Sequence, residues 1–138
     1  MIIDSPEAME SLGVQIGSQL KAGDVILLNG ELGAGKTTLV RGIGLALGIA
    51  PITSPTFVIS KIYTGDIPLV HVDAYRLIGN ELALFDDLDL ESRIPQSITI
   101  IEWGTGFVER LDQEFIEIDI EFGQSENERS VQIKGLEI

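Results

Sequence analysis

Gly30, Gly35, Lys36 and Thr37 stand in the pattern G-x-x-x-x-G-K-T, within the stretch LLNGELGAGKTTL at residues 27–39. The pattern makes a specific physical demand. A loop that wraps phosphate oxygens does so with successive backbone N–H groups, so Cβ atoms are excluded where it turns tightly. A helix that follows points the positive end of its dipole at the anion. Lys36 then supplies a cation to the β- and γ-phosphates, and Thr37 a hydroxyl to Mg²⁺. With glycine near ~7% of residues, a random chain of this size would match on the order of once in a few hundred. The expected nucleotide-binding set is Glu31, Leu32, Gly33, Ala34, Gly35, Lys36, Thr37 and Thr38.

Such a loop needs a carboxylate on the metal side, usually at the end of a neighbouring buried strand. Two segments qualify: LVHVD ends on Asp73, and ITIIE ends on Glu102. The bland alternative for each is a strand-end acid facing water. Glu102 follows the cleaner apolar run and is the expected metal ligand beside Thr37. Asp73 would then orient the attacking water or meet the metal through water. His71 lies two residues before Asp73, on the same sheet face, and reads first as a structural histidine. Arg76 reads either as a stabiliser of γ-phosphate charge or as a surface arginine. Thr56, in SPTF, sits where many P-loop proteins place a threonine that senses the γ-phosphate, against the alternative of a turn threonine. Trp103, the single tryptophan, follows Glu102. It reads as core packing or as a cover for the nucleotide or a moving loop. The residues expected to carry catalysis are Lys36, Thr56, Asp73 and Glu102.

The elements that would position these groups are legible in outline. Asp4 with Glu7 three residues on, and Pro6 between, predicts a helix start. Met9, Leu12, Ile16 and Leu20 keep helical spacing, and Gly23 is the expected stop. Asp24–Asn29 reads as a buried strand and Thr37–Leu47 as a helix closed by Gly48. Val58–Tyr63 and Leu69–Ala74 flank TGDIP and predict a hairpin. Asn80 would cap a short helix, ELALFDDL. Ser97–Glu102 is a second buried strand, and the alternating tail around GQSENER predicts a terminal hairpin. Together these give an α/β single domain over residues 1–138, a P-loop three-layer sandwich. Its mixed sheet would be parallel around the loop and antiparallel at the inserted and C-terminal hairpins.

Composition narrows the function classes. The 138 residues suit one domain with one core. With no cysteine, disulfides and thiolate metal sites are excluded and a reducing, cytoplasmic setting is expected. The N-terminus carries no basic, apolar leader, and no apolar run approaches the ~20 residues of a membrane helix. Net charge is −13, with −2 in residues 1–80 and −11 in residues 81–138. Direct nucleic-acid binders show a basic footprint; this chain shows the reverse, which suits a basic protein partner or simply a solubilising surface. None of the four lysines follows an asparagine, so the guanine signature N-K-x-D is absent. The five arginines form no arginine-rich lid of the kind a small-molecule kinase uses. That kinase remains the alternative reading.

Taken together, GELGAGKTT at 30–38, SPTF at 54–57, HVDAYR at 71–76 and IEW at 101–103 resemble the TsaE family, in order and spacing as well as content, over about residues 4–104. These are the small ATPases of bacterial tRNA threonylcarbamoyladenosine synthesis. The resemblance implies that Lys36 and Thr37 meet the phosphates and Mg²⁺ of ATP, and that Glu102 is the acid on the metal. It implies roles in hydrolysis or coupling for Asp73 and Trp103, a switch role for Thr56, and a nucleotide-contacting role for Arg129. It also implies protein partners, the TsaB–TsaD pair, which transfers the threonylcarbamoyl group to the adenosine next to the anticodon. tRNA would then be met only indirectly and no membrane would be involved. One departure stands out. After Asn80 the family usually has a turn of the kind L-G-L-x-E-Y, whereas this chain reads LFDDLDLESRI, without glycine.

Overall fold

Pro6 sets the first helix. Proline is tolerated in the first helical turn and forces the residue before it to be extended. Ser5 accordingly sits at φ −156°, ψ 158°, and its Oγ accepts a hydrogen bond from the Ala8 N–H at 3.1 Å. The cap of α1 (Pro6–Gly17) is therefore Ser5 and not the expected Asp4. The helix also ends sooner than the spacing predicts. Ser18 turns its hydroxyl back onto the Gln15 carbonyl, a local bond that competes with helix continuation. Gly23 is not its stop; it takes φ +98° and donates to the Ser97 carbonyl at 2.8 Å, leading the chain into the sheet. The second helix, α2 (Lys36–Ala46), has the expected Gly48 just past its end at φ +76°.

The computed structural model describes residues 1–49, 60–73, 93–103 and 114–138. The expected helix after Asn80, Thr56 with the rest of SPTF, Tyr75 and Arg76 lie outside them. Among the described residues seven strands form one sheet: β1 (Ile2–Ile3), β2 (Val25–Gly30), β3 (Ser60–Tyr63), β4 (Leu69–Asp73), β5 (Ile98–Glu102), β6 (Ile116–Phe122) and β7 (Arg129–Lys134). Their order is β1-β7-β6-β2-β5-β4-β3. β2 pairs in parallel with β5 and β6, and β4 with β5. The β3–β4 and β6–β7 hairpins and the β1–β7 pair are antiparallel. This is the single-domain α/β architecture with a mixed sheet that the sequence predicts.

Alternation along the strands divides the core. Ile26, Leu28, Ile98, Ile100, Ile118 and Ile120 pack with Met9, Leu12, Ile16, Leu39 and Ile43 of the two helices. Val25, Leu27, Val70, Val72 and Ile101, of opposite parity, are also buried. Each such side chain contributes roughly 1.5–3 kcal/mol. The helices meet backbone to backbone. A Cβ on Gly42 would stand 2.1 Å from the Glu10 carbonyl oxygen, and one on Gly13 would stand 2.2 Å from that of Leu39. That approach fixes α2, whose first residue is Lys36, against the rest of the fold.

Candidate functional site

The carboxyl ends of β2, β4 and β5 share one edge of the sheet, the edge at which open α/β sheets bind ligands. β2 ends at Gly30, and the loop to α2 starts there. Ala34 N–H closes a turn onto the Glu31 carbonyl at 3.0 Å. Gly33 at φ +84° and Gly35 at φ +111° occupy backbone that side chains rarely tolerate. Leu32 is 92% exposed, so its side chain packs against little in this chain. No side chain caps α2, and no acid stands in its first turn. Its leading N–H groups thus face the loop without an internal anion, which fits a phosphate there. Thr37 and Thr38 are half-buried at this end.

Lys36 lies folded over the loop. Its Nζ donates to the Gly30 carbonyl at 2.5 Å, approaches Glu102 Oε1 at 3.5 Å and stands 4.4 Å from the centre of the Trp103 ring. Trp103 leaves β5 at φ +61° and is 40% exposed. Asp73 and Glu102 are register partners on neighbouring parallel strands, so their side chains leave the sheet side by side.

Glu102 is only 7% exposed. Its Oε2 is hydrogen-bonded to His71 Nε2 and its Oε1 faces Lys36. Burial pushes the carboxyl up, but the His71 hydrogen bond, the charges of His71 and Lys36, and the Lys36 hydrogen bond outweigh it. The net effect holds Glu102 below its ordinary value, ionised at neutral pH.

Among the described residues no cluster of three or more acids, histidines or cysteines could cage a metal. The oxygen donors present, the Thr37 hydroxyl and the Glu102 carboxylate with Asp73 beside it, would fit Mg²⁺ instead, an ion held by one or two carboxylates that keeps phosphate and water in its remaining positions.

Arg129, on β7, reaches the loop but not as a free cation. Its Nε donates to the Ala34 carbonyl at 3.2 Å, Nη2 lies 3.5 Å from that of Gly33, and Nη1 bonds the carbonyls of Glu126 and Glu128. In a planar trans peptide the N–H opposes the C=O, so tying down the Ala34 carbonyl turns the Gly35 N–H the other way. Beside this brace is a cavity of about 130 Å³ lined by Ser5, Met9, Gly33, Gly35, Thr38 and Arg129, among others.

The structure thus brings together Gly33, Ala34, Gly35, Lys36, Asp73, Glu102, Trp103 and Arg129. Two relationships escaped sequence reasoning. His71, read as structural, is bonded to Glu102; the signal was its shared parity with Asp73, but the partner follows only from the β4–β5 register. Arg129 as a loop brace has no local signal at all.

Comparison with known proteins identifies the family. A family model described as threonylcarbamoyl adenosine biosynthesis protein TsaE matches residues 3–131. The chain is 48% identical over 135 residues to the tRNA threonylcarbamoyladenosine biosynthesis protein TsaE of Streptomyces coelicolor, covering 93% of this chain and 90% of that one. It is 42% identical over 120 residues to the protein of the same name from Mycobacterium bovis, covering 80% and 71%. In structure it is similar to the crystal structure of Bacillus subtilus YdiB, with a TM-score of 0.77 at 33% identity, covering 95% of this chain and 80% of that one.

Proposed function

The chain belongs to the TsaE family of tRNA threonylcarbamoyladenosine biosynthesis, and we propose that it serves that process as a Mg²⁺-dependent ATP-binding protein with slow ATPase activity. It would act in the cytoplasm on a TsaB–TsaD-like protein pair, which forms the threonylcarbamoyl group on the adenosine next to the anticodon of tRNAs. The observation that carries this reading is convergence. The loop, Lys36, Glu102 and Asp73 meet at one sheet edge although they come from four separate elements.

Each residue has a definable task. The loop N–H groups and the N-terminus of α2 hold phosphate oxygens. Lys36 turns from the Gly30 carbonyl to the β- and γ-phosphates. The Thr37 hydroxyl and Glu102 would hold Mg²⁺, which when bound would supply positive charge beside the phosphates. Asp73 orients the attacking water. Arg129 keeps the loop amides aimed, and the adjoining cavity receives the nucleoside end along Thr38. The acidic surface leaves RNA contact to the partners.

The test has two arms. Calorimetry should find Mg–ATP binding by the isolated chain. Pull-down with a TsaB–TsaD pair should find association that depends on the nucleotide. Phosphorylation of a small metabolite by this chain alone would overturn the reading.

A further inference from the structure

We propose that His71 is a positioning residue for Glu102, holding one carboxylate oxygen so that the other faces the phosphate loop. The inference rests on the Mg–ATP reading above for its consequence, and on the His71–Glu102 contact for its mechanism.

His71 is wholly buried and is the chain's single histidine. Its neighbours along β4 are Val70 and Val72, and its register partner is Ile100. An aliphatic residue would fill this site without a polar atom to satisfy. Instead the imidazole makes its hydrogen bond through Nε2 to Glu102 Oε2, while Nδ1 is buried without a partner among the described residues. A histidine kept for packing alone gains nothing from that arrangement, because a buried polar atom left unpaired costs free energy. The bond to the ionised carboxylate requires a ring hydrogen on Nε2, and that requirement is what the contact imposes on the ring.

The geometry divides the work on Glu102. Oε2 is held from β4 by a ring locked in the core, whereas Oε1 is approached by the terminal amine of Lys36. A lysine stem is long and rotatable. When Lys36 moves to phosphate, its hold on Oε1 goes with it. The His71 bond persists, so Glu102 stays aimed at the loop. This is the task that residues behind metal ligands perform elsewhere: they fix orientation without touching the metal.

Two measurements test this. The first needs no ligand. In tag-free protein labelled with ¹⁵N-histidine, the single ring should carry its hydrogen on Nε2, slow to exchange, and its resonances should shift in Glu102→Ala. A ring without a hydrogen on Nε2, or one indifferent to Glu102→Ala, overturns the proposal.

The second uses Mn²⁺ as a paramagnetic probe with a non-hydrolysable ATP analogue. His71→Phe should raise the half-saturating Mn²⁺ concentration about tenfold while leaving metal-free analogue affinity within about twofold, and His71→Gln, which keeps an N–H donor, should recover most of the loss. If wild type binds both and His71→Phe matches it, this inference alone falls. If wild type binds neither, the Mg–ATP reading falls and takes the inference with it. Should His71→Phe fail to fold, the Gln variant and the nitrogen spectrum decide.

Discussion

Lys36 Nζ lies 3.5 Å from Glu102 Oε1, so the loop's cation and the strand's acid form a buried pair across the mouth of the site. Both side chains are largely shielded from water. Breaking one half of such a pair leaves the other charge undercompensated. Under the proposed function each residue would have two roles that mutation can separate: one toward a ligand, one toward its neighbour.

Lys36→Ala should weaken ATP binding. A charge-assisted hydrogen bond is worth about 1.5–3 kcal/mol, or tenfold and upward in the dissociation constant. Calorimetric titration with Mg–ATP is the measurement, and unchanged affinity would remove the loop from the proposed site.

Glu102→Ala should separate binding from turnover. Nucleotide affinity should stay within about tenfold, while hydrolysis falls by about a hundredfold, the scale on which a group facing developing charge is felt. A parallel loss of both would make Glu102 a general structural residue.

The pH dependence has a defined sign. The carboxyl of Glu102 is held below its ordinary value of 4.5, so its folded-state pKa lies below the unfolded one. Its stabilising contribution is then fully present above the unfolded pKa and is lost as pH falls through the folded one. Urea unfolding of wild type and Glu102→Gln should differ most near neutral pH, and the difference should shrink below about pH 4.5. A gap that widens in acid contradicts the sign.

Arg129→Ala should loosen the loop without touching a phosphate. Losing its bond to the Ala34 carbonyl should weaken ATP binding by about 1 kcal/mol or more. Arg129→Lys should not restore it, because an ammonium lacks the planar fork that reaches four carbonyls. Full rescue by lysine would argue for a simple charge effect.

Gly42→Ala should destabilise the fold. The added methyl would stand 2.1 Å from the Glu10 carbonyl, backbone that cannot swing aside. Overpacking of this kind costs about 1–3 kcal/mol, measurable as a lower urea midpoint.

What could be read in the sequence was what local chemistry decides. Gly33 and Gly35 announce a phosphate loop because the required backbone is closed to other residues. TGDIP between two β-rich runs announces a hairpin because its ends are adjacent. The helix cap was misassigned because Asp4 and Glu7 match a capping signal, while the stronger constraint came from Pro6 acting on Ser5. What could not be read was non-local. His71 and Glu102 are 31 residues apart and Arg129 and Ala34 are 95; strand register brings the first pair together, and nothing short of the folded sheet brings the second. Gly13 and Gly42 look like weak points in their helices until the close crossing gives them a purpose.

The indole of Trp103 stands 4.4 Å from the Lys36 ammonium, and no other tryptophan shares its emission. A cation against the ring face is held by the ring quadrupole, and a charge this close alters the electrostatic field at the indole. Withdrawal of that cation toward a ligand would change the light the protein emits. Under the proposed nucleotide reading, Trp103 emission would serve as an optical gauge of loop occupancy, readable in a stopped-flow fluorimeter without any label.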